Sequence, residues 1–374
     1  MSEKRILIAS LLKPINDTRM YEKMGLSLSK LPHTHIHVAG FDAPAPTSAP
    51  ANIFFHPVFN FKRLGFGRAQ AQVTFYRLLK QLKPHLIIVG THELLLTSYL
   101  YARSSKCKLV YDIQENYTLN LKEQNNYKPL AKRVLARGVG SIEKFVVPSV
   151  DHFLVAEKSY LQELTFLGNK YTLLENKYKA ATNYTPPSTP VAVNPAAIKL
   201  LYSGTIAEIY GIFEAVEFAS ALHKVHAGIT LTIIGYCARS STLQHLKQLI
   251  QDKNYITLIG GDKLVPHQQI LEQIQHSDVG LLPYQPNPST FRCIPTKLYE
   301  YMAHALPLVV QQNPLWHNMV KRYQAGVSIN FRQADAKEML NQLEQQVFYK
   351  AGISNDLYWQ SEEDKLLPIV ASLL

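Results

Sequence analysis

The sequence predicts an α/β protein made of two doubly wound, Rossmann-like domains. Three observations carry that expectation. Short apolar runs alternate with helix-length segments along the whole chain, the rhythm occurs twice, and an uncharged, proline-rich seam separates the two occurrences. Runs such as HLIIVG, LTIIG and VGLLPY are continuous in Val, Ile and Leu, as strands buried on both faces of a parallel sheet require. Strand–helix alternation with short connections is the sequence pattern of such sheets.

In the first half, strands are expected at Ile6–Ala9, His35–Ala39, Leu86–Val89, Lys108–Ile113, Phe153–Val155 and Thr172–Leu174. Helical patterns lie between them at Arg19–Leu31, Arg68–Leu82, Leu95–Ala102, Leu130–Val146 and Lys158–Leu164. The second half places strands at Lys199–Tyr202, Thr230–Ile234, Ile256–Ile259, Val279–Leu282 and Pro307–Val310. Its helices are expected near Ile212–Val225, Thr242–Asp252, Gln268–His276, Thr296–Ala303 and Ala336–Val347. The seam, AATNYTPPSTPVAVNPAA, has four prolines, no charge and no periodicity, which is a linker composition. The expected division is therefore 1–180, a linker over 181–197, 198–354, and a terminal helix over 355–374 around Trp359. That helix either packs back on the first domain or completes the second.

The chain has 374 residues, 47% of them hydrophobic, enough for two full cores. No apolar run approaches the ~18–20 residues of a membrane-spanning helix. The opening MSEKRILIAS lacks the long apolar region of a secretory leader. Three scattered cysteines, Cys107, Cys237 and Cys293, argue against a disulfide framework or a cysteine metal cluster. A cytoplasmic protein without a bound metal is expected. The charge is one-sided: residues 1–180 carry 25 Lys/Arg against 13 Asp/Glu, and residues 181–374 carry 14 against 15. Such a field attracts anionic lipid, phosphorylated substrates or nucleic acid. No nucleic-acid module is recognisable, so that class ranks last. The basic segment Lys128–Val146 is either an amphipathic element resting on an anionic membrane or a core helix with a solvated basic face.

Ligands of parallel sheets bind beyond the carboxyl ends of the strands. Three loops there carry glycine directly after a strand: Ser203-Gly204-Thr205, Ile234-Gly235-Tyr236 and Ile259-Gly260-Gly261-Asp262. Each alone is also a tight turn; three along one edge suggest a nucleotide crevice. The densest segment is LLPYQPNPSTFRCIPTKLYEYMAHALPLVV, where a helix is expected to start at Thr296 with its hydroxyl as N-cap. Lys297 and Glu300 fall in its first turn. A lysine beside helix amides clamps phosphate, and a carboxylate takes both hydroxyls of a ribose. A first-turn glutamate also stabilises the helix dipole by ~0.3–1 kcal/mol without any ligand.

The string PTKLYEYMAHALPLVV resembles the donor-nucleotide motif of GT-B glycosyltransferases, close to the family 4, group 1 type. YSGTIAEIYGI is similar to that family's glycine loop, LTIIGYC and ITLIGG to its next two strands, and HSDVGLLPY to the strand before the motif. In the first half LVYDIQENY resembles a YDxHE segment, THELLL the loop before it, and VDHFLVAEKSYLQEL with LLENKY the end of the acceptor domain. The resemblance implies two Rossmann-like domains facing each other across a cleft, and transfer of a hexosyl group from a UDP- or GDP-linked sugar. The acceptor would be a saccharide or lipid-linked, as in polysaccharide or glycolipid synthesis, and the chemistry retaining, with no metal or cofactor. It implies donor binding by Gly204, Thr205, Gly235, Gly260, Gly261, Asp262, Lys297, Tyr299 and Glu300. It places His92, Asp112, Gln114 and Glu115 on the acceptor side, with Gln114, Glu115 and Arg292 at the chemistry.

The departures bear on those roles. The family's donor-sugar Glu, eight residues before Glu300, is Arg292, so Gln285, Asn287 or Ser289 would take its hydrogen bonds unless the motif belongs to a subgroup lacking it. YSGTIAEIYGI brings neither of the usual Arg and Lys to the diphosphate. The loop after the first strand reads LLKPINDTRM without the glycine pair; Lys13 and Arg19 either reach phosphate, or Asp17 and Arg19 cap the helix. The histidine of YDxHE is Gln114, which binds hydroxyls but does not titrate. Two rival readings stay open, a catalytically silent GT-B-like partner subunit and a UDP-sugar epimerase. A dinucleotide dehydrogenase is disfavoured because the nearest GxG, Gly65-Phe66-Gly67, follows no strand.

Overall fold

The computed structural model describes residues 3–61, 67–123, 129–181, 184–288 and 290–374. The chain divides into two compact units, one of Met1–Lys179 with Trp359–Leu374 and one of Ala180–Tyr358.

The first unit holds β1 (Lys4–Pro14), β2 (Thr34–Phe41), β3 (Ile53–Phe59), β4 (Leu86–Val89), β5 (Lys108–Ile113), β6 (His152–Val155) and β7 (Tyr171–Leu173). They form one parallel sheet in the order β3-β2-β1-β4-β5-β6-β7. Every residue of β4 is fully buried, as its unbroken LIIV run requires. β3 was not legible because Pro57 interrupts it; at the sheet edge a missing N–H costs no ladder bond. The expected helix Arg19–Leu31 opens instead as a π-helical turn, Thr18–Gly25, before one α turn at Leu26–Leu28.

Trp359–Leu374 belongs to this unit. Trp359, Leu366 and Val370 lie in one core cluster with Ile6, Met24 and Ile36. Trp359 Nε1 donates to Ser27 Oγ at 2.9 Å. Two carboxylates of this helix are buried with it. Glu362 accepts from Glu175 N at 2.9 Å and faces Lys177 at 2.8 Å. Glu363 accepts from Ser27 Oγ and Lys30 Nζ, each at 2.5 Å. A buried carboxylate stripped of such partners costs roughly 3–5 kcal/mol, so these contacts specify where the helix docks.

The second unit holds β8 (Val191–Ala192), β9 (Lys199–Thr205), β10 (Thr230–Tyr236), β11 (Ile256–Gly261), β12 (Val279–Leu282), β13 (Leu308–Gln311), β14 (Gly326–Ile329) and β15 (Val347–Phe348). Six of them make a parallel sheet in the order β11-β10-β9-β12-β13-β14. Residues 181–197, read as a linker, lie within this unit. There β8 pairs antiparallel with β15, and Tyr184 donates to Ala303 O at 2.6 Å. Two residues of backbone pairing leave no periodicity to read. The helix Pro314–Arg322 was likewise missed; Asn313 caps it by accepting from Leu315 N and Trp316 N. Among the described residues no helix is long and apolar enough to cross a membrane.

Candidate active site

The carboxyl edge of the second sheet is built on glycine. Gly204, Gly235 and Gly260 stand in register on β9, β10 and β11, with Gly261 opposite Tyr236. A Cβ on Gly235 would sit 1.6 Å from Gly204 O, so close strand ends alone demand that glycine. Gly204 is different. It has φ +107°, and a Cβ there would meet only the Lys297 side chain, at 3.2 Å. Its missing side chain makes room for the lysine. The two border a cavity of about 320 Å³ walled by Tyr210, Tyr284 and Thr290.

Lys297 and Glu300 reach this edge from the helix Thr296–Ala303. Pro295, not Thr296, is its N-cap, and among the described residues no side chain caps the first-turn amides. Thr296 is the first helical residue because Pro295 is held at ψ 135°, outside the helical region. The helix is fixed from beneath. Tyr301 Oη accepts from Ser203 N at 3.1 Å and lies 2.8 Å from Ser203 Oγ. Its ring packs where a Cβ on Gly280 would intrude at 2.6 Å. Tyr299, implied as a donor-binding residue, lies on the same helix and is 4% exposed.

Both oxygens of Glu300 are engaged. Oε1 lies 2.6 Å from His267 Nε2, and Oε2 pairs with Lys297 Nζ. The residue is 7% exposed. Burial by itself raises the carboxyl, but the Lys297 charge and the His267 and Lys297 contacts outweigh it and hold the pKa at about 2. The group is therefore an ionised acceptor at neutral pH. His267, which opens the helix His267–Gln275, escaped the sequence reading: it lies 33 residues from Glu300 and in no motif with it.

The other donor-side residues are spread along this edge. Thr205, Gly260 and Asp262 are exposed on it. Gln285 ties the loop after β12 to the one after β9, its N donating to Ile209 O at 3.0 Å. Its amide turns to Pro283 O at 3.0 Å. Asn287 O accepts from Thr290 N and Phe291 N, a turn-forming role for its backbone. Arg292 is exposed, and Ser289 lies outside the described residues.

In the first unit, five candidates join in one network at the carboxyl ends of β1 and β5. Asp17 caps the following turn, accepting from Arg19 N and Met20 N at 3.0 Å. Arg19 neither caps nor faces solvent. It is 1% exposed and grips the fully buried Asp112 with two nitrogens, at 2.7 and 2.9 Å, while also donating to Leu174 O. The phosphate-contact reading of Arg19 and the acceptor reading of Asp112 are thus corrected: each is consumed by the other. Burial disfavours the guanidinium charge, but Asp112 outweighs it and the pKa rises. Gln114 Nε2 donates to Asp112 Oδ2 at 2.6 Å and its Oε1 accepts from Lys13. Gly90 permits this, since a Cβ there would lie 2.7 Å from Gln114 Nε2.

Glu115 is exposed and accepts from Asn120 at 2.9 Å, apart from that network. His92 packs on Tyr117 at 4.4 Å between ring centroids. Burial first, then Arg68, lowers its pKa to about 4, so the ring is neutral. Of the basic segment, Arg133 and Arg137 are exposed on the helix Pro129–Val146, whereas Val146 is buried and Ile142 half-buried. Lys128 and the side chains of Lys132, Val134 and Leu135 lie outside the described residues.

Residues 197–347 match the family model described as glycosyl transferases group 1. No curated protein matches the chain. Among solved structures it is similar to sucrose-phosphate synthase from Thermosynechococcus elongatus, at 13% identity and TM-score 0.72 over 99% of both chains. It is also similar to Anabaena HepE in complex with UDP, at 10% identity and TM-score 0.61 over 99% of this chain and 100% of that one. The lipopolysaccharide outer core galactosyltransferase WaaB, in its apo form, aligns at 14% identity and TM-score 0.59 over 99% and 100%. Residues 197–347 of the second unit are thus similar in sequence to the group 1 glycosyltransferases, and the chain carries the two Rossmann-like domains of the GT-B fold.

Proposed function

We propose that this protein is a glycosyltransferase that moves a hexosyl group from a UDP- or GDP-linked sugar to a saccharide or lipid-linked acceptor. One observation carries the reading: a lysine, uncapped helix amides and an ionised, nearly buried carboxylate converge beside Gly204 at the carboxyl edge of the second sheet. Lys297 and the amides of Thr296 and Lys297 receive the diphosphate. When the sugar departs, charge grows on that diphosphate, and fixed cations and dipoles stabilise it without reorganising. Glu300 takes the ribose hydroxyls, releasing Lys297 to the diphosphate while His267 keeps the carboxylate oriented. Structural neighbours that carry UDP support a nucleotide ligand.

The acceptor belongs to the first unit, at the carboxyl ends of β1 and β5. Lys13 and Gln114 offer hydrogen-bonding groups there, beside the exposed Glu115. Retention of configuration, independence of metal and a role in polysaccharide or glycolipid synthesis complete the proposal. A lipid-linked acceptor is reached by resting Arg133 and Arg137 on anionic membrane.

Calorimetry with UDP and GDP tests the core of this reading. One nucleotide binds the wild type, and Glu300→Ala loses that binding. Failure of both nucleotides to bind favours the silent partner subunit and overturns the proposal.

A further inference from the structure

The first unit concentrates the positive charge: residues 1–179 and 359–374 hold 26 Lys and Arg against 16 Asp and Glu. Part of that surplus surrounds a cavity of about 570 Å³ at the amino edge of the sheet, the end opposite Lys13 and Gln114. The cavity is bounded by the start of β1, the residues leading into β4 and β5, and the carboxyl ends of helices Gly67–Leu82 and Leu95–Ser105. Its volume lies in the ~300–1,000 Å³ range of small-ligand sites.

Five lysines line it: Lys4, Lys80, Lys83, Lys106 and Lys108. Lys108 is matched by Asp151 at 2.8 Å, Lys4 donates to Leu374 O at 2.5 Å, and Lys80 lies over the Tyr76 ring at 4.9 Å. Lys83 and Lys106 are exposed and sit at the turns that end the two helices, with φ +48° and +54°. Neither makes an ion pair among the described residues. The helix carboxyl ends offset roughly half a charge each. With Asp151 and the carboxyl end of the helix Gln360–Leu373, which also lines the cavity, counted as well, a surplus of about 2.5 positive charges remains on it.

The remaining lining is of two kinds. His85 Nδ1 accepts from Arg5 N at 3.0 Å, which places the proton of a neutral ring on Nε2, a hydrogen-bond donor. Burial first, then the charges of Arg5 and Lys4, lowers the His85 pKa and keeps the ring neutral. Tyr101, Cys107 and Leu373 add carbon and sulfur surface. Cations and a neutral donor together with apolar surface suit an anion that carries a carbon skeleton.

We propose that this pocket binds a phosphate ester, either free or as the head group of an anionic lipid, held by Lys83 and Lys106. The site is separate from the donor edge of the second unit and stands whether or not that edge binds a nucleotide.

The test titrates the whole chain with glycerol 3-phosphate by calorimetry, and in parallel measures co-sedimentation with phosphatidylcholine vesicles containing phosphatidylglycerol. Wild type is compared with Lys83→Gln/Lys106→Gln and with Lys297→Gln in the second unit. Both lysines of the double variant are exposed, so its melting temperature should match wild type. At least one probe binds wild type saturably, weakens as salt rises, loses at least tenfold in the double variant and is unchanged in Lys297→Gln. Binding of the soluble ester assigns a free phosphate; binding of vesicles alone assigns a lipid head group. No binding of either probe, equal binding by the double variant, or loss in Lys297→Gln instead overturns the proposal.

Discussion

Replacing Lys297 by Met removes the strongest favourable influence on a carboxylate that is 7% exposed. The native surroundings take the Glu300 pKa from an ordinary 4.5 to about 2. At 1.36 kcal/mol per unit, that is about 3 kcal/mol of stability at neutral pH. The sign follows from the direction of the shift. A depressed carboxyl stabilises fully above its unfolded value of 4.5, and the contribution is lost as pH falls through about 2. Lys297→Met forfeits most of it, about 2 kcal/mol, and for a unit of this size lowers the melting temperature by ~4–8 °C. Glu300→Gln removes the buried charge itself and costs less. The double variant recovers part of the loss of Lys297→Met, because no unpaired carboxylate is left behind. Scanning calorimetry of the four proteins at pH 7 and pH 4 measures all of this. The gap between wild type and Lys297→Met narrows at pH 4, where the variant's Glu300 has already taken up a proton. A Lys297→Met protein as stable as wild type at pH 7, or a gap that does not narrow with acid, refutes the electrostatic account of this turn.

Other consequences are as direct. Gly280→Ala drives a methyl to 2.6 Å from the Tyr301 ring, so a loss of ~1–3 kcal/mol is expected in denaturant unfolding, together with weaker nucleotide binding as the helix shifts. Arg19→Leu strands the Asp112 carboxylate in the first unit and costs ~3–5 kcal/mol; a stable, active Arg19→Leu protein contradicts the structural role assigned to that pair. Trp359→Ala empties a fully buried site and costs ~3–5 kcal/mol, read as a lower melting temperature for the first unit alone. His267→Ala leaves Glu300 less well oriented and weakens binding of the cognate nucleotide by about a factor of ten, the scale of one charge-assisted hydrogen bond.

The chain's own pattern determined the two parallel sheets and the turn that carries Lys297 and Glu300. Continuous runs such as LIIV of β4 and VGLL of β12 suit strands buried on both faces, and glycine after a strand marks where neighbouring strand ends crowd. Such signals are local, so they survive in one dimension. Only the tertiary structure decided who meets whom. Arg19 and Asp112 are 93 residues apart and become a buried pair because β1 and β5 flank β4. His267 reaches Glu300 across 33 residues, the terminal helix finds Ser27 across 332, and β8 finds β15 with two residues each. Each of these contacts is created by how strands and helices pack in three dimensions, which no window along the sequence contains. Two of them also set a role: Arg19, open between phosphate contact and helix cap, is the counter-charge of a buried aspartate, and an unremarked histidine is the partner of the central glutamate.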